Sequence, residues 1–208
     1  AALGSIDGGA GSAALALRLL EALHGRALLL SGSHDAGEQL AVALINRLLG
    51  LEAGLGLPSG QFNVGLAIQD RSFNPDGSFQ YPAAWEEHFF GDKILVNGKV
   101  WPFLDVKKGK YRFRLLNGST SRVHTLTLSN GAPFWVIGNE LGLLPKPLHR
   151  TSLTITPGER LDVVVDFQPY ANNTEILLLN SAQAPYPGSP GVGVIPNVMK
   201  FVVKAGGG

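Results

Sequence analysis

The chain has 208 residues, 45% of them hydrophobic and only 16% charged, which is enough apolar material for a packed core and too little charge for a disordered chain. A formal net charge of +1 gives no electrostatic case for nucleic acid or an anionic membrane surface, and no run of eighteen apolar residues is present to span a bilayer. The absence of cysteine excludes disulfides, thiolate metal sites and cysteine nucleophiles.

The chain opens with AALGSIDGGAGS, which lacks a basic n-region and an initiating Met and reads as a processed end or a join. Residues 12–50 are rich in Ala and Leu. Leu15, Leu19, Ala22 and Leu23 share one helical face, and Gly25 ends that helix. RALLLS, from Arg26 to Ser31, suits a short buried strand. In SGSHDAGEQLAVALINRLLG, Asp35 and Glu38 stand three apart, as a capping box places them. Leu40, Ala43, Leu44 and Leu48 line the following helix, which Gly50 stops. The expected order is helix, strand, helix. An amphipathic lid over an otherwise exposed sheet face is the physical role this segment suits.

A Gly/Pro hinge, LGLPSG, separates this α/β segment (1–56) from a second domain (57–208) with a different pattern. Strands are expected over 62–69, 93–96, 100–106, 111–116, 123–129, 134–137, 152–156, 160–167, 175–179 and 198–203. In YRFRLLN, Tyr111 and Phe113 share one face, while Arg112 and Arg114 take the other. Leu126 and Leu128 oppose Thr125 and Thr127, and Leu161, Val163 and Val165 oppose Asp162 and Asp166. Asn97-Gly98 signals a tight hairpin turn with positive backbone dihedrals, and Asn117-Gly118 suggests a similar turn. The 27 glycines and 13 prolines fit many short strands joined by turns, which implies a mainly β, antiparallel sandwich or barrel. Residues 181–197 form a Pro/Gly-rich loop.

The segments AIQDRSFNPDGSFQYP, FFGDKILVNGKVWPFLDV, KYRFRLLNGSTSR, PGERLDVVVDF and NVMKFVV occur in that order. Together they resemble the second, copper-free cupredoxin domain of three-domain multicopper oxidases, in the subgroup of spore-coat laccases, bilirubin oxidases and phenoxazinone synthases. The resemblance covers about 150 residues. It implies a Greek-key cupredoxin-like sandwich that bridges the domains on either side and helps to wall their substrate site. It also implies no copper ligand in this domain, so no cofactor and no metal-binding residue is expected here. GRALLLSGSHDAGEQLAVALINRLLG resembles a strand-loop-helix segment of molybdopterin-dependent oxidoreductases, which would make the chain a chimera.

Five residues are weak candidates for catalysis. His34, Asp35 and Glu38 gather near a helix start; binding a divalent ion or acting as an acid/base pair competes there with simple helix capping. His34 keeps a His-Asp pair without the second His of the family's ligand motif, so no copper role is carried onto it. Glu87 and His88 follow Trp85 in AAWEEHFFGD. Metal binding or proton transfer competes there with a connecting loop whose aromatics Trp85, Phe89 and Phe90 pack on the sandwich. His124 and His149 read as solvated or hydrogen-bonded histidines. The resemblance also implies that Arg and Asp/Glu residues hold neighbouring strands together, which makes Asp70, Arg71, Arg114 and Glu159 candidates for buried structural ion pairs. The sequence therefore suggests a non-catalytic structural domain, not a competent laccase alone. Two alternatives stay open: a promiscuous or metal-dependent hydrolase with a site between the two segments, and a module forming homo-oligomers through exposed sheet faces.

Overall fold

A computed structural model describes residues 55–140 and 142–207. The expected helix-strand-helix, the segment similar to molybdopterin-dependent enzymes, and the candidates His34, Asp35 and Glu38 lie outside the described residues. Most of the described residues belong to one compact unit, Pro58–Glu140 with Lys146–Gly208.

The described strands form a two-sheet sandwich. After a 3-10 turn at Gly60–Phe62, the strands are β1 (Asn63–Phe73), β2 (Phe79–Gln80), β3 (Lys93–Val96), β4 (Lys99–Val100), β5 (Phe103–Lys108), β6 (Lys110–Asn117), β7 (His124–Leu128), β8 (Phe134–Asn139), β9 (Gly142–Arg150), β10 (Leu153–Ile155), β11 (Arg160–Asp166), β12 (Glu175–Asn180) and β13 (Asn197–Gly207). The larger sheet runs β4-β3-β1-β6-β11-β8-β9 with β2 on β1, and the smaller runs β10-β7-β12-β13-β5. Two pairings are parallel, β1 with β6 and β13 with β5. Beyond β4 the chain changes sheets at nearly every connection, so each sheet interleaves distant segments and neither folds without the other.

The period-two alternation sets the core. Tyr111, Phe113 and Leu115 of β6 point inward from the larger sheet, and Phe201 and Val203 of β13 point inward from the smaller. Phe113 and Phe201 meet across the interior with ring centroids 5.2 Å apart, and Phe167 joins them 5.3 Å from Phe201. Such offset contacts add to the burial of three large apolar side chains. Arg112 and Arg114 take the opposite face, as alternation requires, yet their fates differ. Arg112 is buried and its Nε donates to Asp162 Oδ2 at 3.1 Å, while Arg114 is exposed although it stands directly across from Asp162 in the register.

Three departures from the sequence reading have local causes. The single strand expected over 100–106 breaks at Trp101, whose φ of 41° is left-handed, and at Pro102. The chain there leaves the larger sheet as β4 and enters the smaller as β5, a step that no continuous strand can make. Strand β9, GLLPKPLHR, holds two prolines and no clean alternation, and it lies at the edge of its sheet, where missing N–H donors are tolerated. Asn97 and Gly98 do form the tight turn, with φ of 49° and 81°. Asn117-Gly118 does not: Gly118 is absent from the left-handed region, and Asn117 is a fully buried anchor.

Candidate functional site

The concentration of buried polar chemistry lies where β1 outruns its neighbour. The parallel pairing of β1 with β6 ends at Ile68 and Asn117, but β1 continues, and its inward alternation of Leu66 and Ile68 next delivers a carboxylate, Asp70. The segment after Asn117 folds back over that carboxylate and places Ser119, Arg122 and His124 around it. All five polar residues are buried.

Asn117 shapes the crossing. Its Nδ2 donates to Arg122 O at 2.8 Å and Ile155 O at 3.0 Å, while its Oδ1 accepts the Ser119 N–H at 2.9 Å. Arg122 then spends its guanidinium on three segments. Nε donates to Asp70 Oδ2 at 2.8 Å, one terminal nitrogen to Gly193 O at 2.7 Å, and the other to Gly91 O at 3.0 Å. The Gly91 N–H closes the circuit on Asp70 Oδ2 at 2.7 Å. Gly91 has no room for a side chain, because a Cβ there would lie 2.3 Å from the Arg71 backbone nitrogen. The Phe90 ring lies beneath the guanidinium at 5.4 Å. A planar fork with several fixed donors suits such a junction better than an ammonium.

Beside this pair, the Asp70 N–H points at Ser119 Oγ at 3.3 Å, and Ser119 Oγ lies 3.2 Å from His124 Nε2. With its lone pair engaged by Asp70, the hydroxyl has its proton free for His124 Nε2, an arrangement that puts the ring proton on Nδ1. Nδ1 and Asp70 Oδ1 are both buried without a protein partner. Burial pushes the His124 pKa down to about 4; the Asp70 carboxylate opposes the shift and the Arg122 guanidinium adds to it. The imidazole is therefore neutral at physiological pH.

A serine, a histidine and an aspartate thus stand in one network, but not in the order a nucleophile needs. The Asp70 carboxylate is committed to Arg122 and Gly91, so it does not orient His124 Nδ1, and Ser119 Oγ is enclosed in the sandwich. The arrangement ties strands together. Of the expected ion pairs, Asp70 is buried and paired, with Arg122 as its partner. Arg71 donates to the Asp70 carbonyl at 2.7 Å, and Glu159 accepts from Thr156 within its own turn, so neither forms the expected pair. Sequence reading missed Arg122 as the hub; the available signal was a lone cation before the apolar run that opens with Val123.

The remaining candidates lie elsewhere. Glu87 and His88 approach to 4.0 Å with both side chains substantially exposed, and the His88 ring leans toward Phe90 at 5.6 Å. His149 stands edge-on to Trp135 at 5.0 Å on the sandwich surface. Trp85 does not pack on the sandwich as expected: it is 87% exposed, while its neighbours Phe89 and Tyr81 pair with each other at 4.9 Å. Ser72, Tyr81, Glu86, Phe89 and Phe90 help to line a surface cleft of about 280 Å³ beside that pair. Among the described residues, no three His, Cys, Asp or Glu side chains gather in a metal-binding group.

Comparison with known proteins gives this architecture its family. The multicopper oxidase family model matches residues 73–181, more than half of the chain, and the chain belongs to that family. The laccase of Bacillus subtilis is 44% identical over 63% of this chain and 28% of its own length. Multicopper oxidase LPR1 of Arabidopsis thaliana is 41% identical over 79% of this chain and 30% of its own. The crystal structure of the McoA multicopper oxidase from Aquifex aeolicus superposes with a TM-score of 0.66 at 36% identity, covering 76% of this chain and 35% of that one. The chain therefore spans about a third of the length of the relatives it matches, and its sandwich is a laccase-related, cupredoxin-like domain.

The copper that the family name implies does not fit the described residues. A type of site that takes electrons from phenols needs a thiolate with imidazoles, and the chain has no cysteine. The one buried imidazole among the described residues, His124, has its Nε2 on Ser119 and a guanidinium as neighbour, which disfavours a cation.

Proposed function

We propose that this domain is a non-catalytic structural member of a laccase-type oxidase: a rigid body that holds copper-bearing neighbours in register and leaves the redox chemistry to them. The observation that carries the reading is the use made of the polar interior. Arg122, Asp70, Ser119 and Asn117 are all spent joining β1, the loop at Gly91, the crossing after β6 and the loop at Gly193. Such a network fixes shape rather than reacting. The exposed large rings also support it. Phe79, Tyr81 and Trp85 form one cluster in sequence, and Trp101 and Phe103 another. Aromatics left on the surface of a well-packed domain are the anchors that a covering neighbour uses. Trp101 in addition holds a left-handed backbone, a conformation that persists only where the surroundings enforce it.

The test is a transplant. Residues 58–207 replace the matching stretch of the Bacillus subtilis laccase, and copper content and phenol oxidation are measured on the folded product. Full copper loading with retained oxidation is the expected result, and Trp85→Ala or Trp101→Ala in the transplant should lower both together. A transplant that folds and loads copper but is blind to both tryptophans would contradict the bridging role.

A further inference from the structure

Three Asn-Gly dipeptides lie among the described residues, at Asn97, Asn117 and Asn130, and the fold treats them very differently. Asn-Gly is the pair most prone to succinimide chemistry, since glycine puts no side chain in the way of its own backbone nitrogen. At Asn97 both side-chain atoms are tied to β1: Oδ1 accepts the Ala67 N–H at 2.9 Å and Nδ2 donates to Gly65 O at 2.8 Å. At Asn117 the side chain is fully buried in three hydrogen bonds, and the attacking nitrogen of Gly118 is itself held by Ile68 O at 2.7 Å. Asn130 is exposed in the turn between β7 and β8, and the one bond its side chain shows is Oδ1 accepting the Ala132 N–H at 3.1 Å. Gly131 has open space around it and a φ of 71°. Its N–H bonds Leu128 O at 2.9 Å, so the turn must open locally for attack. A surface turn does so at little cost, whereas freeing Asn117 requires opening the core.

We propose that Asn130 is a spontaneous deamidation site of this protein, and that it converts well ahead of Asn97 and Asn117. The Gly131 backbone nitrogen attacks the Asn130 Cγ, a C–N bond forms, and the side-chain nitrogen leaves as ammonia with the displaced proton. Water then opens the succinimide at either carbonyl, giving aspartate or isoaspartate. No oxidant or catalyst is required. Other exposed asparagines are poorer sites: Asn74 precedes Pro75, which has no N–H, and Asn173 precedes the β-branched Thr174. The consequence reaches beyond one turn. Gaining one carboxylate takes the chain's formal charge from +1 to neutral, the condition in which proteins associate most readily.

The full chain is incubated at mildly alkaline pH, natively and in denaturant, and the three peptides are followed by mass spectrometry. Native protein should show conversion at Asn130 at least tenfold faster than at Asn97 or Asn117, while in denaturant the three rates should converge. Asn130→Gln should abolish the first acidic species seen on ion exchange. Conversion of Asn97 or Asn117 first, or the same spread of rates in denaturant as in the native chain, would overturn the proposal.

Discussion

At the scale of single residues, Arg122 is the junction of the buried polar network. Its guanidinium is the sole charged partner shown for the buried Asp70 carboxylate and the donor to two loop carbonyls. Arg122→Ala strands that carboxylate in the interior, so a loss of about 3–5 kcal/mol in urea unfolding is expected. Arg122→Lys should recover little, since an ammonium cannot reproduce the three-way fork. The double variant Asp70→Asn with Arg122→Met should lose less than Arg122→Ala, because no unpaired charge remains. His124 gives a pH signature with a definite sign. Its folded pKa, about 4, lies below the ordinary 6.5, so the unfolded chain binds more protons between those values. The contribution is complete above pH 6.5, falls as pH drops through that window, and is constant below it. Its full size is about 3 kcal/mol by linkage. His124→Gln should flatten the stability profile between pH 4 and 6.5 in denaturant titrations; an unchanged slope would mean that other groups carry it.

At the scale of elements, the β3–β4 hairpin shows how much a turn can do. Asn97 adopts the left-handed conformation the turn requires and also clamps β1 through both side-chain atoms. Asn97→Gly keeps the backbone freedom and removes the clamp, so its cost isolates the side-chain bonds, about 1–2 kcal/mol. Asn97→Ala adds the left-handed strain and should cost more. Calorimetric comparison of the two variants separates the contributions. The hairpin was legible in the sequence because Asn-Gly between apolar runs has one good structural solution. The strands whose apolar residues alternate, β6 and β7, were legible for the same kind of reason: a one-residue slip would turn Phe113 or Leu126 to water. Strand β9 was not legible, since edge strands tolerate prolines and lack a buried face to impose a pattern. Nor was the change of sheet at Trp101 read, although Pro102 beside it was a local signal against one continuous strand. The polar node was half legible. Asp70 was named from the family resemblance, but its partner comes from 52 residues away, a pairing that only the fold makes.

At the scale of the whole molecule, the proposed function divides shape from chemistry. The described sandwich carries the architecture of a multicopper oxidase domain while its buried polar groups hold loops together. Under the proposed bridging role, exposed rings such as Phe79, Tyr81, Trp85, Trp101 and Phe103 are where a neighbouring domain would close. If those rings also mediate self-association of the isolated domain, concentration-dependent mass in sedimentation should fall on Trp85→Ala and Trp101→Ala. The measurement that tests the central claim most directly is copper stoichiometry of the purified chain after loading and exhaustive dialysis. The account predicts no stoichiometric copper, no charge-transfer absorbance and no oxidation of a phenolic dye. Stoichiometric copper that disappears on substituting His124 or His88 would contradict it and make this domain a metal centre in its own right.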